Sequence, residues 1–204
     1  MAIKKIKVLY GGESSEREVS LESGKYIFQA LKDLGYEAQL IDYPKNFSSH
    51  QLTEEDFIFI ALHGQDGESG ALQKLLQQKC IPFSGSHYQA CVNTWNKNTC
   101  KVILKENKIP TPNWITISSL HEIEKDLGNP FFNQLRPFNE LFLKPAEDGS
   151  SIDVFKITCN KDLENAISAC ADPRRTFILE ESIDFRELTV PILNGKCLPA
   201  VEIK

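Results

Sequence analysis

The sequence predicts an α/β protein in two units, an open parallel α/β sheet followed by a smaller α+β unit of mainly antiparallel strands. Three observations carry this. Short β-branched runs alternate with helical periods over residues 1–96, and the order changes to strand pairs beyond the proline-containing connection Ile109-Pro110-Thr111-Pro112. The chain's 204 residues, at about 150 residues per domain, also allow one to two domains.

The elements follow in order. Ile6 to Tyr10 reads as a strand broken by Gly11-Gly12. Ser14 or Ser15 is the expected cap of a helix with apolar positions at Val19, Tyr26, Ile27, Ala30, Leu31 and Leu34, stopped by Gly35. Glu37 to Ile41 is a second strand, and the continuous apolar run Phe57 to Leu62 is a third, of the kind buried on both faces of a parallel sheet. His63-Gly64-Gln65-Asp66-Gly67-Glu68-Ser69-Gly70 follows as a glycine-rich loop, then a helix with Leu72, Leu75 and Leu76 inward, then an edge at Ile81-Pro82-Phe83. A helix over Asn98 to Asn107 opens the second unit. Strands are expected at Trp114 to Ile117, Leu141 to Lys144, Ile152 to Ile157 and Thr176 to Glu180, with helices from Ser119 and over Leu163 to Ala171. Phe131 to Phe138 has no period and reads as a surface insertion. Leu188 to Leu193 and Cys197 to Ile203 flank Asn194-Gly195, a strong hairpin signal.

Composition narrows function. Twenty-three basic against 28 acidic residues give a net charge of -5 without a basic block, which argues against nucleic acid as a partner. The longest apolar run, Phe57 to Leu62, is far short of the ~20 residues of a membrane span, and the amino terminus lacks a secretory signal, so the expected location is the cytoplasm. The 6 cysteines contain no C-x-x-C pair and read as free thiols, with no metal site expected.

Five segments carry candidate chemistry. The Gly11-Gly12 turn offers backbone N–H groups to an anion at a helix start, while Glu16 in the first turn also suits the helix itself. His63, at the end of a buried strand, either enters a site or is a satisfied structural histidine. Lys97, Lys101 and Lys105 share one helix face, which reads as solvated, with Lys97 alone placed to reach a ligand. Lys144, ending an apolar strand before Gly149-Ser150-Ser151, suggests a phosphate-covering hairpin or an ordinary polar one. Glu180, Glu181 and Glu187 near strand ends are either hydrogen-bond acceptors for a nucleoside or solvated carboxylates.

These segments, in this order, resemble the amino-terminal part of the D-alanine:D-alanine ligase family of the ATP-grasp superfamily. The carrying motifs are Gly11-Gly12-x-Ser14-x-Glu16-Arg17-Glu18-Val19-Ser20-Leu21, Leu62-His63-Gly64-x-x-Gly67-Glu68-x-Gly70 and Ile81-Pro82-Phe83-x-Gly85-Ser86. Three more are Asn96-Lys97-x-x-x-Lys101, Lys144-Pro145-x-x-x-Gly149-Ser150-Ser151 and Glu187-Leu188-Thr189-Val190. The resemblance implies a Rossmann-like pre-ATP-grasp domain over 1–96, a small ATP-grasp lobe over 97–184, and in 185–204 the first hairpin of a large lobe that the chain lacks. It implies ATP-dependent ligation of two D-alanines through an acyl phosphate for peptidoglycan precursor synthesis, in a bacterial homodimer. A chain shortened in this way is alternatively a non-catalytic binder of D-alanine, nucleotide or a partner subunit.

By the same resemblance, Glu16 pairs with the D-alanine ammonium, His63 sits beside its carboxylate, and Ser150 links Glu16 to a later loop. Lys97 and Lys144 contact nucleotide phosphates, Ser151 closes over the transferring phosphate, and Glu180 and Glu187 recognise adenine and ribose. Mg2+ is implied, with its ligands expected in the missing lobe. Four positions depart from the family: Asn96 in place of aspartate, Ser69 in place of an acidic residue, and Asp153 and Phe185 in place of glycines. Asp153 is expected to bring negative charge near the phosphates.

Overall fold

The structure, a computed structural model, describes residues 5–53, 55–123, 140–149, 151–184 and 186–203. The expected insertion at Phe131 to Phe138, most of the helix expected from Ser119, and the family departure at Phe185 lie outside the described residues.

The first sheet has three parallel strands. β1 (Lys5–Gly11) runs between β2 (Ala38–Tyr43) and β3 (Asp56–Ile60), with Val8 opposite Leu40 on one side and Phe59 on the other. Side-chain alternation divides β1 between two cores. Ile6 and Val8 pack with Ala61 under α1 (Arg17–Asp33), which contributes Ile27 and Leu31, while Leu9 and Ile58 pack under α3 (Ala71–Gln78), after α2 (Gln65–Glu68), through Leu72 and Leu76. Both faces are therefore covered, as an all-parallel sheet requires. The expected edge at Ile81-Pro82-Phe83 is reduced to a single parallel bridge, Ile58 to Phe83. Pro82 has no N–H to donate, yet its carbonyl still accepts from Ile58 N at 2.9 Å.

Two helices lead to the second sheet. α4 (Tyr88–Trp95), for which the sequence shows no clear stripe, buries only Cys91. Asn96 is extended between it and α5 (Lys97–Glu106), and its side chain caps α5 by accepting from Thr99 N at 3.1 Å.

The second sheet is antiparallel, ordered β4 (Trp114–Ile117), β7 (Phe177–Glu181), β5 (Leu141–Pro145), β6 (Phe155–Ile157). One face is apolar: Ile115, Ile117, Leu141, Leu143, Ile157, Phe177 and Leu179 form a core with Leu163, Ala166 and Ile167 of α6 (Asn160–Ala169). Each such side chain contributes roughly 1.5–3 kcal/mol by burial. α6 begins earlier than its apolar period suggests, because the Asp162 carboxylate accepts from Thr158 N at 2.8 Å and Cys159 N at 3.2 Å.

The hairpin forms around Asn194 and Gly195, both at positive φ, but as short ladders. β8 (Leu188–Thr189) pairs with β11 (Val201–Glu202), and β9 (Ile192–Leu193) with β10 (Lys196–Cys197). Pro191 and Pro199, which lack a donor, separate the ladders. Its large apolar side chains are exposed. No helix among the described residues is long and apolar enough to cross a membrane.

Candidate active site: a cleft over the antiparallel sheet

The amino-terminal side of the site is built beyond strand ends. β1 stops at Gly11, and the helix cap is Glu16, not Ser14 or Ser15, with no side-chain hydrogen bond closing the cap. Ser14 ties two loops together instead: its hydroxyl donates to the His63 carbonyl at 3.0 Å and accepts from Glu16 N at 3.3 Å. Arg17 anchors the turn by donating to both carboxylate oxygens of Asp42, at 2.9 and 2.8 Å, and to the Gly12 carbonyl at 2.9 Å. This fork–fork pair holds the Asp42 carboxyl below the usual range, chiefly through the hydrogen bond from Arg17.

Two glycines locate the Glu16 carboxylate. A methyl group at Gly64, where φ is 67°, would stand 2.8 Å from Glu16 Oε2, and one at Gly149 would stand 3.5 Å from the same atom. The carboxylate therefore lies between the His63 loop and the loop after β5. His63 is half-buried, with Nε2 3.2 Å from the Ser23 hydroxyl.

The other side is a cavity of about 410 Å³ whose wall includes Lys97, Lys144, Ser151, Glu180 and Glu187. All five residues expected to contact nucleotide thus line one space, and Phe142 adds an apolar surface. Ser150 lies outside the described residues. Strand alternation explains the arrangement: Leu143 and Leu179 face the core, so Phe142, Lys144 and Glu180 face the other way. α5 lies across this face, its Asn98 accepting from Trp114 Nε1 at 2.8 Å.

The charges are tightly arranged. Glu180 pairs with Lys144 through one oxygen and with Lys101 Nζ, at 2.9 Å, through the other. Lys97 Nζ donates to the Asp148 carbonyl at 2.7 Å. Burial pushes the Lys97 ammonium below the ordinary lysine range, and the neighbouring Lys144 charge adds to this against the pull of Asp148 and Glu180.

Two further expectations are corrected. Lys101 is not on a solvated face: it is 7% exposed and sits over the Trp114 ring, because α5 turns this side onto the sheet. Asp153 does not direct its charge at the cavity. Its carboxylate pairs with Arg175, which also holds Asp148 at 3.0 Å, and accepts from Ala171 N at 3.4 Å. Arg175 and Lys101 are the site-supporting residues that sequence reasoning passed over. For Lys101 the four-residue interval from Lys97 gives only the spacing of a solvated face, and Arg175 carries no signal at all.

Three of the acidic groups lining the cleft are committed to protein partners. Glu180 serves two lysines, Asp148 serves Arg175, and Glu181 accepts from Asn113 N at 2.9 Å. Among the described residues no group of three or more His, Cys, Asp or Glu could hold a metal, so these residues do not fit a Mg2+ site.

A covered parallel sheet joined to an antiparallel sheet, with lysines and a carboxylate on its cleft face, places the chain in the ATP-grasp class. The chain belongs to the D-alanine:D-alanine ligase family: the family model described as D-ala D-ala ligase C-terminus matches residues 103–204. The D-alanine--D-alanine ligase of Magnetococcus marinus is 35% identical over 203 residues, covering 98% of this chain and 64% of the relative. The solved D-alanine--D-alanine ligase of Bacillus anthracis is 29% identical with a TM-score of 0.82, covering 98% of this chain and 64% of that one. The same enzyme complexed with ATP is 30% identical with a TM-score of 0.76, covering 98% and 66%. The chain therefore spans a little under two thirds of the length of these relatives.

Proposed function

We propose that this chain supplies the substrate-binding and nucleotide-binding sides of a D-alanine:D-alanine ligase. In this reading residues 1–96 form the substrate unit, 97–184 the small lobe and 185–204 the start of a large lobe. ATP phosphorylates the carboxylate of one D-alanine, and the amine of a second attacks the acyl phosphate, releasing phosphate and D-alanyl-D-alanine. The product serves peptidoglycan synthesis in the cytoplasm of a bacterium, and the enzyme acts as a homodimer.

The carrying observation is the convergence of Lys97, Lys144, Ser151, Glu180 and Glu187 on one cavity, with the Glu16 carboxylate beside Gly149 at its rim. Glu16 receives the D-alanine ammonium and His63 adjoins its carboxylate, with Ser150 linking Glu16 to a later loop. Lys97 and Lys144 hold the phosphates, Ser151 closes over the transferred group, and Glu180 and Glu187 take adenine and ribose. Phosphoryl transfer depends on positioning and on fixed charge facing the equatorial oxygens, and a desolvated lysine such as Lys97 acts there with little water to displace. Mg2+ accompanies the nucleotide.

The test is D-alanine-dependent phosphate release from ATP and Mg2+ by the chain. Release abolished by Lys144→Ala supports ligation. Thermal stabilisation by ATP without release favours the alternative, a chain that binds its ligands without turnover.

A further inference from the structure

We infer that Lys101 is a positioning residue that keeps the Glu180 carboxylate aimed at the base of a bound adenine nucleotide, leaving Lys144 free to exchange Glu180 for phosphate. The inference rests on the nucleotide reading of the cleft.

The ammonium of Lys101 is fully committed. It donates to Thr111 Oγ1 at 2.8 Å, to the Pro112 carbonyl at 3.1 Å and to Glu180 Oε2 at 2.9 Å, one acceptor for each N–H, with the Trp114 ring 5.2 Å away. Lys101 is not part of the cavity wall, whereas Lys144 and Glu180 both are. It therefore acts on a ligand only through another group. Lys144 shares the opposite oxygen of Glu180 and is the more solvated of the two lysines, its side chain 24% exposed against 8%.

An incoming triphosphate competes with Glu180 for Lys144. If Lys144 leaves, Glu180, only 8% exposed, keeps a desolvated charge. A buried carboxylate stripped of its cation is driven to move towards other partners or water. Lys101, fixed by the Thr111 and Pro112 oxygens, holds it in place. The consequence is base selectivity. An ionised carboxylate only accepts hydrogen bonds, so it favours the amino group of adenine and opposes the carbonyl that hypoxanthine presents at the same position.

The experiment is calorimetric titration of ATP and of inosine triphosphate into the full chain, its Lys101→Met and Lys101→Arg variants, and Thr111→Val. The unaltered chain should prefer ATP by about tenfold or more, the discrimination expected of one hydrogen bond to a charged group. Lys101→Met should weaken ATP with little effect on inosine triphosphate, collapsing the ratio towards one, and Lys101→Arg should restore it. Thr111→Val, which retains the ammonium but removes one anchor, should reduce the ratio part of the way and decides the matter if Lys101→Met fails to fold. Equal weakening of both nucleotides by Lys101→Met, or an unchanged ratio in Thr111→Val, overturns the inference while leaving the cleft reading intact. An unaltered chain that binds neither nucleotide removes the cleft reading and this inference together.

Discussion

The two sheets of this chain carry their polar chemistry in different places. In the parallel sheet both faces of β1 are buried, so Glu16 and His63 stand in loops beyond the carboxyl ends of β1 and β3, tied by Ser14 and made possible by glycines. In the antiparallel sheet one face is core and the other is only partly covered, by α5, so Lys144 and Glu180 project from within strands into the cleft. The lesson is that the number of covered faces decides whether a strand can carry a site or only point at one.

The largest effect expected from breaking this contrast comes from the core. Leu143→Ala removes a fully buried side chain directly behind Phe142 and Lys144 and should cost ~2–5 kcal/mol in urea melts, with weakened ATP binding by the folded chain. Leu72→Ala, equally buried but behind the parallel sheet, should cost a similar ~2–5 kcal/mol and leave ATP affinity unchanged. If both variants alter ATP affinity alike, the division between the sheets is wrong.

Gly64→Ala sharpens the loop side. It places a methyl group 2.8 Å from Glu16 Oε2 at a backbone φ of 67°, so D-alanine binding should fall by an order of magnitude or more. Gly149→Ala, with 3.5 Å to the same oxygen, should have a much smaller effect on D-alanine in the same titration.

A pH series probes Lys97. Burial and Lys144 lower its folded value, and bound phosphate restores the charge, so binding takes up a proton at alkaline pH. ATP affinity should therefore fall as pH rises through that lowered value, earlier than for a free lysine near ~10.4. Lys97→Arg should remove the early fall. An identical profile in the variant would assign the titration elsewhere.

The smallest effect on ATP binding is expected at Asp153. Asp153→Gly releases a residue at φ 52° and loses the Arg175 pair, two opposed changes. The Asp153 side chain is only 10% exposed, so losing the pair should outweigh the relieved strain and lower stability by ~1–3 kcal/mol, while ATP affinity changes by less than about twofold. A large gain in affinity would return the Asp153 charge to the phosphate site.

Much of this was legible in the residues. The Phe57 to Leu62 run and the Gly11-Gly12 break located the parallel strands, and a lysine ending the apolar strand Leu141-Phe142-Leu143-Lys144 pointed to a cleft. Other features depend on partners remote in sequence. α4 buries one side chain and so leaves no periodic stripe. The row Lys97, Lys101, Lys105 has the spacing of a solvated face, and only the packing of α5 on Trp114 shows that Lys101 is enclosed. Asp153 read as a charge near phosphate because Arg175, which receives it, lies beyond α6. The Asn194-Gly195 turn predicted the hairpin, but Pro191 and Pro199 shortened its ladders.

Calorimetric titration of ATP into the chain and into its Lys144→Ala and Glu16→Gln variants tests the central claim, that the cleft face of the antiparallel sheet is the nucleotide site and Glu16 belongs to a neighbouring amino-acid site. The account predicts saturable binding, weakened by about tenfold or more in Lys144→Ala, the loss expected for one charge-assisted hydrogen bond, and unchanged in Glu16→Gln. ATP binding that survives Lys144→Ala, or that fails in Glu16→Gln, would contradict it.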